Sequence, residues 1–295
     1  MATLAPAQTS GGLTAAPTPP RRRRWRLPFS AWHLLLMPLA LIFVLPLVQM
    51  VLTSFMSDAS INRFPPALLP HSLYLGGYHK LFGESQVIRW LFNTILVSAI
   101  SVAAHLVLCS TAGYAFARLK FAGRGLAFSL ILATVMVPLQ LLIIPTYLMF
   151  AQVGIIDTLA AAFVPWLASA FGIFLMRQFF LSLPVELEEA AILDGAGALR
   201  TFVSIVLPLA RPALATLAVF TLLSAWNDLL WPLIAISDQN RFTLQVGLAT
   251  FQGTRHTEWS ELMAGNVIAT MPLIMAFLAA QRWFVATMTF SGLKG

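Results

Sequence analysis

Residues 181–212 read LSLPVELEEAAILDGAGALRTFVSIVLPLARP, a stretch that separates two long apolar segments of the chain. It is far longer than the roughly two to eight residues that usually join neighbouring helices. Ser182 and Pro184 suit the start of a helix, because a hydroxyl can cap it and proline needs no partner for an N–H there. Gly195 suits its end, because glycine readily adopts the left-handed conformation. The sequence therefore predicts a short helix held between two apolar segments.

A second short helix is predicted over about 198–206, with Pro208 and Pro212 ending it. The first helix has glutamates near the positive end of its dipole, and one of its faces is lined by Leu187, Ala190, Ala191 and Asp194. Small alanines let another surface approach closely, which favours an element gripped by a soluble partner. The alternative is a helix lying among lipid headgroups, although such helices are usually basic and carry Trp or Phe.

The composition of the whole chain indicates a polytopic membrane protein. Of its 295 residues, 59% are hydrophobic and 10% are charged, whereas soluble domains carry about 25% charged residues. A soluble monomer of this size could not hide so much apolar surface. The high apolar content also makes a disordered chain a poor fit. The net charge of +7 comes largely from a cluster at Arg21–Arg24 and Arg26 and from short loops, a pattern that suits an anionic lipid leaflet better than a nucleic acid.

Long windows without charged residues predict membrane-spanning helices of about 20 residues each. We expect an all-α protein with six transmembrane helices, near residues 32–54, 92–116, 127–149, 158–177, 213–234 and 263–283. Prolines at 38, 46, 138, 145, 165 and 272 are expected to kink or locally break them. Residues 1–31 are interpreted as a disordered basic tail and residues 32–295 as the transmembrane domain.

The basic residues also predict the orientation of the chain. If the N-terminus is cytoplasmic, thirteen Lys and Arg residues lie in inner segments and five in outer segments. Because cytoplasmic loops carry an excess of Lys and Arg, both termini and the loop 182–212 are expected in the cytoplasm.

Several motifs carry a resemblance to a known family. Glu189-Ala190-Ala191, then Gly195, then Ile205-x-Leu-Pro208 resemble the EAA loop of membrane subunits of ATP-binding-cassette (ABC) importers. The match extends to Asn93-Thr-Ile, AGYAFAR at 112–118, FAGR at 121–124, Met136-Val-Pro, Ile144-Pro-Thr-Tyr147, Trp226-Asn-Asp228 and SGLKG at 291–295. Together these segments are similar to carbohydrate-importer permeases of the maltose type. In that type two different permease subunits form a pair, and the resemblance is to the subunit with six spans.

The resemblance implies a type I ABC importer permease fold in a bacterial inner membrane. The residues that it places against an ATPase subunit are Glu189, Ala190, Ala191, Asp194, Gly195, Ile205 and Pro208, and the tail residues Lys294 and Gly295 are expected to reach the ATPase dimer. The implied partners are a second homologous permease, two copies of an ABC ATPase, an extracytoplasmic solute-binding protein and membrane lipid. ATP and Mg²⁺ would be bound by the ATPase subunits, and no cofactor or nucleic acid by this chain.

Candidate residues for a translocation path are Asn93, Trp226, Asn227 and Asp228. Asp228 is the only acidic residue within a predicted span. A carboxylate inside the membrane costs free energy unless it is paired with another group or reached by water. Trp226 could stack on a sugar ring, while each polar residue could instead make an interhelical hydrogen bond or pack structurally.

The expected function is that of a permease for a sugar or sugar-like solute rather than of an enzyme. The dipeptide Gly-Lys never occurs, so the chain has no P-loop for ATP. His71 and His79 lack a third ligand with convincing spacing, so no metal site is predicted. Glycerol phosphate or a polyol remains an alternative solute. A secondary transporter is the less favoured alternative, since such proteins usually show internal repeats and coupling carboxylates.

Overall fold

The computed structural model of the chain describes residues 32–65, 67–253 and 256–291, apart from the side chains of residue 280 and of residues 282–291. Regular structure in these residues is helical. The α-helices are α1 Trp32–Thr53, α2 Asp58–Ile61, α3 Gly76–Gly83, α4 Val87–Arg118, α5 Arg124–Thr134, α6 Leu139–Val153, α7 Leu159–Phe163, α8 Ala170–Ser182, α9 Glu186–Leu193, α10 Ala198–Thr201, α11 Leu207–Leu209, α12 Arg211–Trp226, α13 Leu230–Ala235, α14 Leu244–Ala249 and α15 Trp259–Ser291. The predicted tail 1–31 and the residues Lys294 and Gly295 lie outside the described residues.

The chain divides between Pro46 and Leu47 into two compact units. The described part of the first unit is the beginning of α1, in which every side chain from Trp32 to Pro46 is exposed. Apolar side chains exposed in this way need lipid or another membrane subunit as their surroundings.

Among the described residues, three helices are long and apolar enough to cross a membrane: α1, α4 and residues Trp259–Ala279 of α15. Three further spans are available if bent pairs of helices each count as one. The pairs are α5 with α6, bent by 101°, α7 and its following turn with α8, bent by 40°, and Ala198–Leu209 with α12, bent by 78°. The predicted helices 32–54, 92–116 and 263–283 correspond to α1, α4 and α15, of which α4 and α15 extend further than predicted.

The predicted helix 158–177 is interrupted around Pro165, as expected from that proline: α7 ends at Phe163, a short turn follows and α8 begins at Ala170. The predicted helices 127–149 and 213–234 are interrupted too, the former at Pro138, where a break was expected, and the latter after Trp226, where none was. The former stops after Thr134, and α6 begins only after Pro138, because the residue before a proline avoids the α conformation. The latter ends at Trp226, and α13 starts at Leu230. Pro232 lacks the N–H that would bond to the carbonyl of Asp228 in an unbroken helix, and its ring would clash with that carbonyl.

The long helix α4 takes part in two apolar cores of the second unit. Near its start, Trp90 and Val97 belong to a core that includes Leu244 of α14 and Leu262 of α15. Near its end, residues of α4 join α8, α12 and the segment before α12 in a core formed by Cys109, Tyr114, Ala117, Met176, Phe180, Phe202, Val206, Ala210, Ala213 and Leu217. Because α4 packs most extensively against α8 and α12, it connects the two ends of this unit.

Asp157 ties the segment before α7 to the segment after α13. One of its carboxylate oxygens accepts the backbone N–H groups of Ser237 and Asp238, both at 2.9 Å. These two donors, and more weakly the nearby Arg241, hold the pKa of Asp157 below its ordinary value, since hydrogen bonds to a carboxylate favour its charged form. The contacts fix α7 and α13, which flank the cavity described below.

Candidate coupling surface and translocation site

The helix α9 ends as the sequence predicts but begins differently. Gly195 has a φ of +80°, and the N–H of Ala196 bonds to the carbonyl of Ala191 at 2.9 Å, a closed helix end of the kind that needs a left-handed residue. The expectation that Ser182 caps the helix is wrong. Ser182 is the last residue of α8, and its hydroxyl donates to the carbonyl of Phe179 at 2.7 Å.

The second helix of the loop runs past the predicted stop at Pro208. After α10, residues Phe202–Val206 form a wide π-helical turn, and α11 follows directly. Pro208 therefore lies inside the continuous helical run Ala198–Leu209 and not after its end. The chain instead turns at Ala210, and Pro212 lies in the first turn of α12.

Most of the residues predicted to contact an ATPase are accessible. Glu189, Ala190, Asp194, Gly195 and Pro208 are exposed, Ile205 is half-buried and Ala191 is buried.

Besides Leu187, three large apolar side chains on α9 and α10 that lie outside the predicted alanine-lined face are also exposed. They are Ile192 at 63%, Leu193 at 88% and Leu199 at 74% exposure. Ile192 and Leu193 lie outside the alanine-lined face of the first predicted helix, and Leu199 lies on the second predicted helix. The predicted contact face therefore did not include them. We use "coupling surface" for these three residues together with Glu189, Ala190 and Asp194. Such an acidic and apolar surface is suited to a protein partner.

Glu188, next to Glu189, points into the protein. It is 8% exposed, and its Oε1 lies 2.7 Å from Nε of Arg118 in α4. Its Oε2 accepts the hydroxyl of Tyr114 at 2.9 Å. Arg118 also donates to the carbonyl of Leu183 at 2.6 Å. The two adjacent glutamates therefore have different roles, one at the exposed surface and one in a buried ion pair.

A cavity of about 480 Å³ lies where three helix breaks come together. Its lining includes Gln140 near the start of α6, Trp166 just before α8 and Asp228 between α12 and α13. The indole N–H of Trp166 donates to Oδ2 of Asp228 at 2.9 Å. The other lining residues are Leu139, Leu142, Ile143, Thr146, Phe150, Val164, Pro165, Leu230 and Trp231.

Of the four candidate path residues, Asp228 alone lines this cavity. The amide of Asn93 is buried and donates to the carbonyls of Asn240 at 3.0 Å and Phe242 at 2.9 Å. The indole of Trp226 is buried and donates to the carbonyl of Ala269 at 3.1 Å. The amide of Asn227 donates to the carbonyl of Leu223 at 2.9 Å.

These contacts hold the side chains of Asn93 and Trp226 within the protein, whereas Asn227 is exposed and bonds only to its own helix. Trp166 and Gln140 join Asp228 instead. No local sequence signal indicates the Trp166 contact, which spans 62 positions.

The family described as "Binding-protein-dependent transport system inner membrane component" matches residues 109–290, which include the whole coupling surface. The chain belongs to this family. It is therefore a permease of the binding-protein-dependent ABC importer class and a multi-pass protein of the plasma membrane, as predicted from composition and motifs.

Curated relatives of this permease cover nearly all of its length. It is 34% identical over 260 residues to the arabinooligosaccharides transport system permease protein AraQ of Halalkalibacterium halodurans. The aligned region covers 87% of this chain and 93% of that protein. It is 34% identical over 263 residues to the sn-glycerol-3-phosphate transport system permease protein UgpE of Agrobacterium fabrum, which covers 86% of this chain and 93% of that protein.

A solved structure supports the fold of the permease. A chain of a bacterial ABC transporter involved in the import of the acidic polysaccharide alginate superimposes with a TM-score of 0.75 at 23% identity, covering 87% of this chain and 99% of that chain. The helical ABC importer permease fold predicted from the sequence is thus confirmed.

Proposed function

We propose that this permease forms half of the translocation path for a neutral saccharide and that separate ATPase subunits drive it through the coupling surface. The observation that carries the proposal is the short helix α9, which buries Ala191 and Glu188 but leaves Glu189, Leu193 and their neighbours exposed. A protein surface of this kind, fastened on its other side to helices of the membrane domain, can receive force from a partner and pass it on.

The complete importer would contain a second homologous permease, two ABC ATPase subunits and an extracytoplasmic solute-binding protein. Because the sequence lacks a Gly-Lys dipeptide and hence a P-loop, ATP and Mg²⁺ would be bound by the ATPase subunits. The apolar windows of the sequence support six spans, and the bias of basic residues supports a cytoplasmic position for both termini and α9. Lys294 and Gly295 would extend toward the ATPase dimer, and Ile205 and Pro208 would support α9 from the adjoining segment.

Transport would follow an alternating-access cycle. Closure of the ATPase dimer on ATP would bring the two α9 helices of the permease pair together and open the path toward the solute-binding protein. Hydrolysis would release the helices and return the path to the cytoplasm. The protein's task in this cycle is to convert a movement at the coupling surface into a rearrangement of the helices around the cavity.

The cavity favours a neutral saccharide over an anionic solute. Phe150, Trp166 and Trp231 supply aromatic faces, against which the apolar face of a sugar ring can pack. Asp228, Gln140 and other polar groups supply hydrogen-bonding partners. Among the described residues that line the cavity, no cationic side chain is present to neutralise a phosphate or carboxylate. An anionic group that loses its water without gaining a cationic partner is costly to bury.

Glycerol phosphate is the second candidate solute, because the relative UgpE is a permease of a glycerol-3-phosphate system. A polyol is a third, since it shares the hydroxyl groups of a sugar. Uptake of labelled arabinooligosaccharide, glycerol 3-phosphate and a polyol would separate the three in cells that lack this permease and in the same cells complemented with it. We expect complementation to restore saccharide uptake alone. Restoration of glycerol 3-phosphate uptake would instead contradict the assignment of a neutral solute.

The substitution Glu189→Lys is expected to lower solute uptake about tenfold or more. Reversing the charge at the centre of an interface costs more than the about 1.4 kcal/mol that corresponds to a tenfold effect. The ATPase subunits should co-purify less with the permease, while the permease content of the membrane stays unchanged. Glu189→Gln keeps the size of the side chain and should have a smaller effect. Normal uptake by Glu189→Lys at normal expression would argue against α9 as the coupling element.

A further inference from the structure

Glu188 gives α9 an attachment to the membrane domain that differs from its two covalent connections. A buried carboxylate is costly unless charged or polar groups satisfy it. If α9 needed only to be held, an apolar side chain at this position would do so at least as well. The buried ion pair therefore calls for an explanation beyond stability.

The contacts of Glu188 all lead to the last turn of α4. Arg118 Nε lies 2.7 Å from Glu188 Oε1, and the Tyr114 hydroxyl donates to Oε2 at 2.9 Å. The side chains of Arg118 and Glu188 are each only 11% exposed. Arg118 also donates to the carbonyl of Leu183 at 2.6 Å, in the link between α8 and α9. One turn of α4 thus binds both α9 and the segment that enters it.

Aromatic packing adds the neighbouring elements to this attachment. The ring of Tyr114 lies 4.8 Å from that of Phe202, in the π-helical turn, and 5.9 Å from that of Phe180 in α8. Arg177 of α8 donates to the carbonyl of Phe116 in α4 at 3.2 Å. A displacement of α9 therefore acts on α4, on α8 and on the segment before α12 at the same point.

The helix α4 is suited to carry such a displacement over a distance. It runs without a break through 32 residues, which corresponds to about 48 Å at 1.5 Å per residue. Its far end belongs to the other apolar core, through Trp90 and Val97. The helix pairs α5 with α6 and Ala198–Leu209 with α12 are bent by 101° and 78°, whereas α4 reaches from one core to the other as a single helix.

We propose that Glu188, Arg118 and Tyr114 form a clamp that transmits the movement of α9 directly into α4. They are positioning residues and do not contact the solute. Glu189 faces the ATPase, while Glu188 faces inward and links the same helix to α4. This inference rests on the proposed function, since it assumes that an ATPase moves α9. It assigns to three buried side chains the coupling of ATP hydrolysis to transport.

The test uses the complete importer in proteoliposomes, with its ATPase subunits, second permease and solute-binding protein. The measured quantity is the number of solute molecules transported per ATP hydrolysed, with ATPase co-purification and thermal unfolding recorded in parallel. We expect Glu188→Gln to lower the transport-to-ATP ratio at least fivefold while the ATPase subunits still co-purify. Glu189→Lys should instead lower co-purification. A normal ratio in Glu188→Gln would overturn the clamp.

Two further variants keep the test decisive if Glu188→Gln folds poorly. Tyr114→Phe removes one hydroxyl and retains the packed ring, and it should lower the ratio about twofold or more at unchanged thermal stability. The triple variant Glu188→Met, Arg118→Met and Tyr114→Phe replaces the ion pair and the buried hydroxyl by apolar side chains, so it should unfold near the wild-type temperature yet couple at least fivefold less well. Wild-type coupling in either variant would show that packing alone suffices and would overturn the proposal.

The wild-type importer separates this inference from the proposed function. If the wild-type complex bound no ATPase through α9 or showed no ATP-driven uptake, the proposed function would fail, and the clamp with it. If the wild type transports normally and the clamp variants do too, the clamp alone fails.

Discussion

Replacing Gly195 with valine is expected to reduce solute uptake more than tenfold while the permease still inserts into the membrane. Gly195 has a φ of +80°, and a side chain built there meets nothing within 4 Å. The cost is therefore one of backbone conformation, about 1–2 kcal/mol for an ordinary residue and more for a β-branched one. The end of α9 would open to avoid it and displace Asp194 and Leu193. Uptake and solute-stimulated ATPase activity measure the effect at matched expression.

Gly197 provides a matched control in the same loop. It also has open space around it, but its φ of −74° and ψ of 164° are ordinary extended values. Gly197→Val should therefore transport at close to the wild-type rate, and Gly195→Asn should fall between the two because asparagine tolerates the left-handed region. Equal losses in Gly195→Val and Gly197→Val would point to steric exclusion of a partner. Normal uptake by Gly195→Val would show that the closed end of α9 is dispensable.

The sequence predicts the long apolar helices and the local features of the loop 181–212 well. Long apolar windows predict the helices α1, α4 and α15, and the spacing in 181–212 predicts α9 and the left-handed Gly195. These features depend on residues close together in the chain. The wide turn at 202–206 was not predicted, because its apolar residues also suit an ordinary α-helix.

The breaks around the cavity were predicted only in part. An apolar window shows that a segment can cross a membrane but carries no information on whether it crosses as one straight helix. Pro138 is a local signal for the break before α6, whereas the break at Asp228 also depends on Pro232 four positions later. That Trp166 meets Asp228 follows from tertiary packing, so the cavity could not be located from the sequence.

The different roles of the two adjacent glutamates also depend on tertiary structure. Glu188 and Glu189 are chemically identical and both suit the first turn of a helix. What turns Glu188 inward is the presence of Arg118 and of Tyr114, which lies 74 positions earlier in the chain. Both partners fall within the resembling segment 112–118, yet nothing in the spacing pairs them with Glu188 rather than with Glu189.

Replacing Gly113 with alanine is expected to destabilise the permease strongly. Gly113 lies where α4 and α8 pack most closely: a methyl group there would come within 2.7 Å of Cβ of Met176 and 2.9 Å of the backbone nitrogen of Arg177. Neither atom can move without shifting α8, and Met176 is fully buried. Overpacking of this kind costs about 1–3 kcal/mol, which corresponds to a fall of roughly 2–12 °C in the unfolding temperature. Thermal unfolding of the purified permease complex measures it.

Gly125 near the start of α5 is the control for this substitution, because it is also helical but has nothing within 4 Å of the added methyl group. Gly125→Ala should leave the unfolding temperature unchanged or raise it slightly, since alanine favours helix by up to about 1 kcal/mol. If Gly113→Ala unfolds at the same temperature as Gly125→Ala, then α4 and α8 do not pack closely at this point. The proposed transfer of movement from α9 to α8 as well as to α4 would then lose its structural basis.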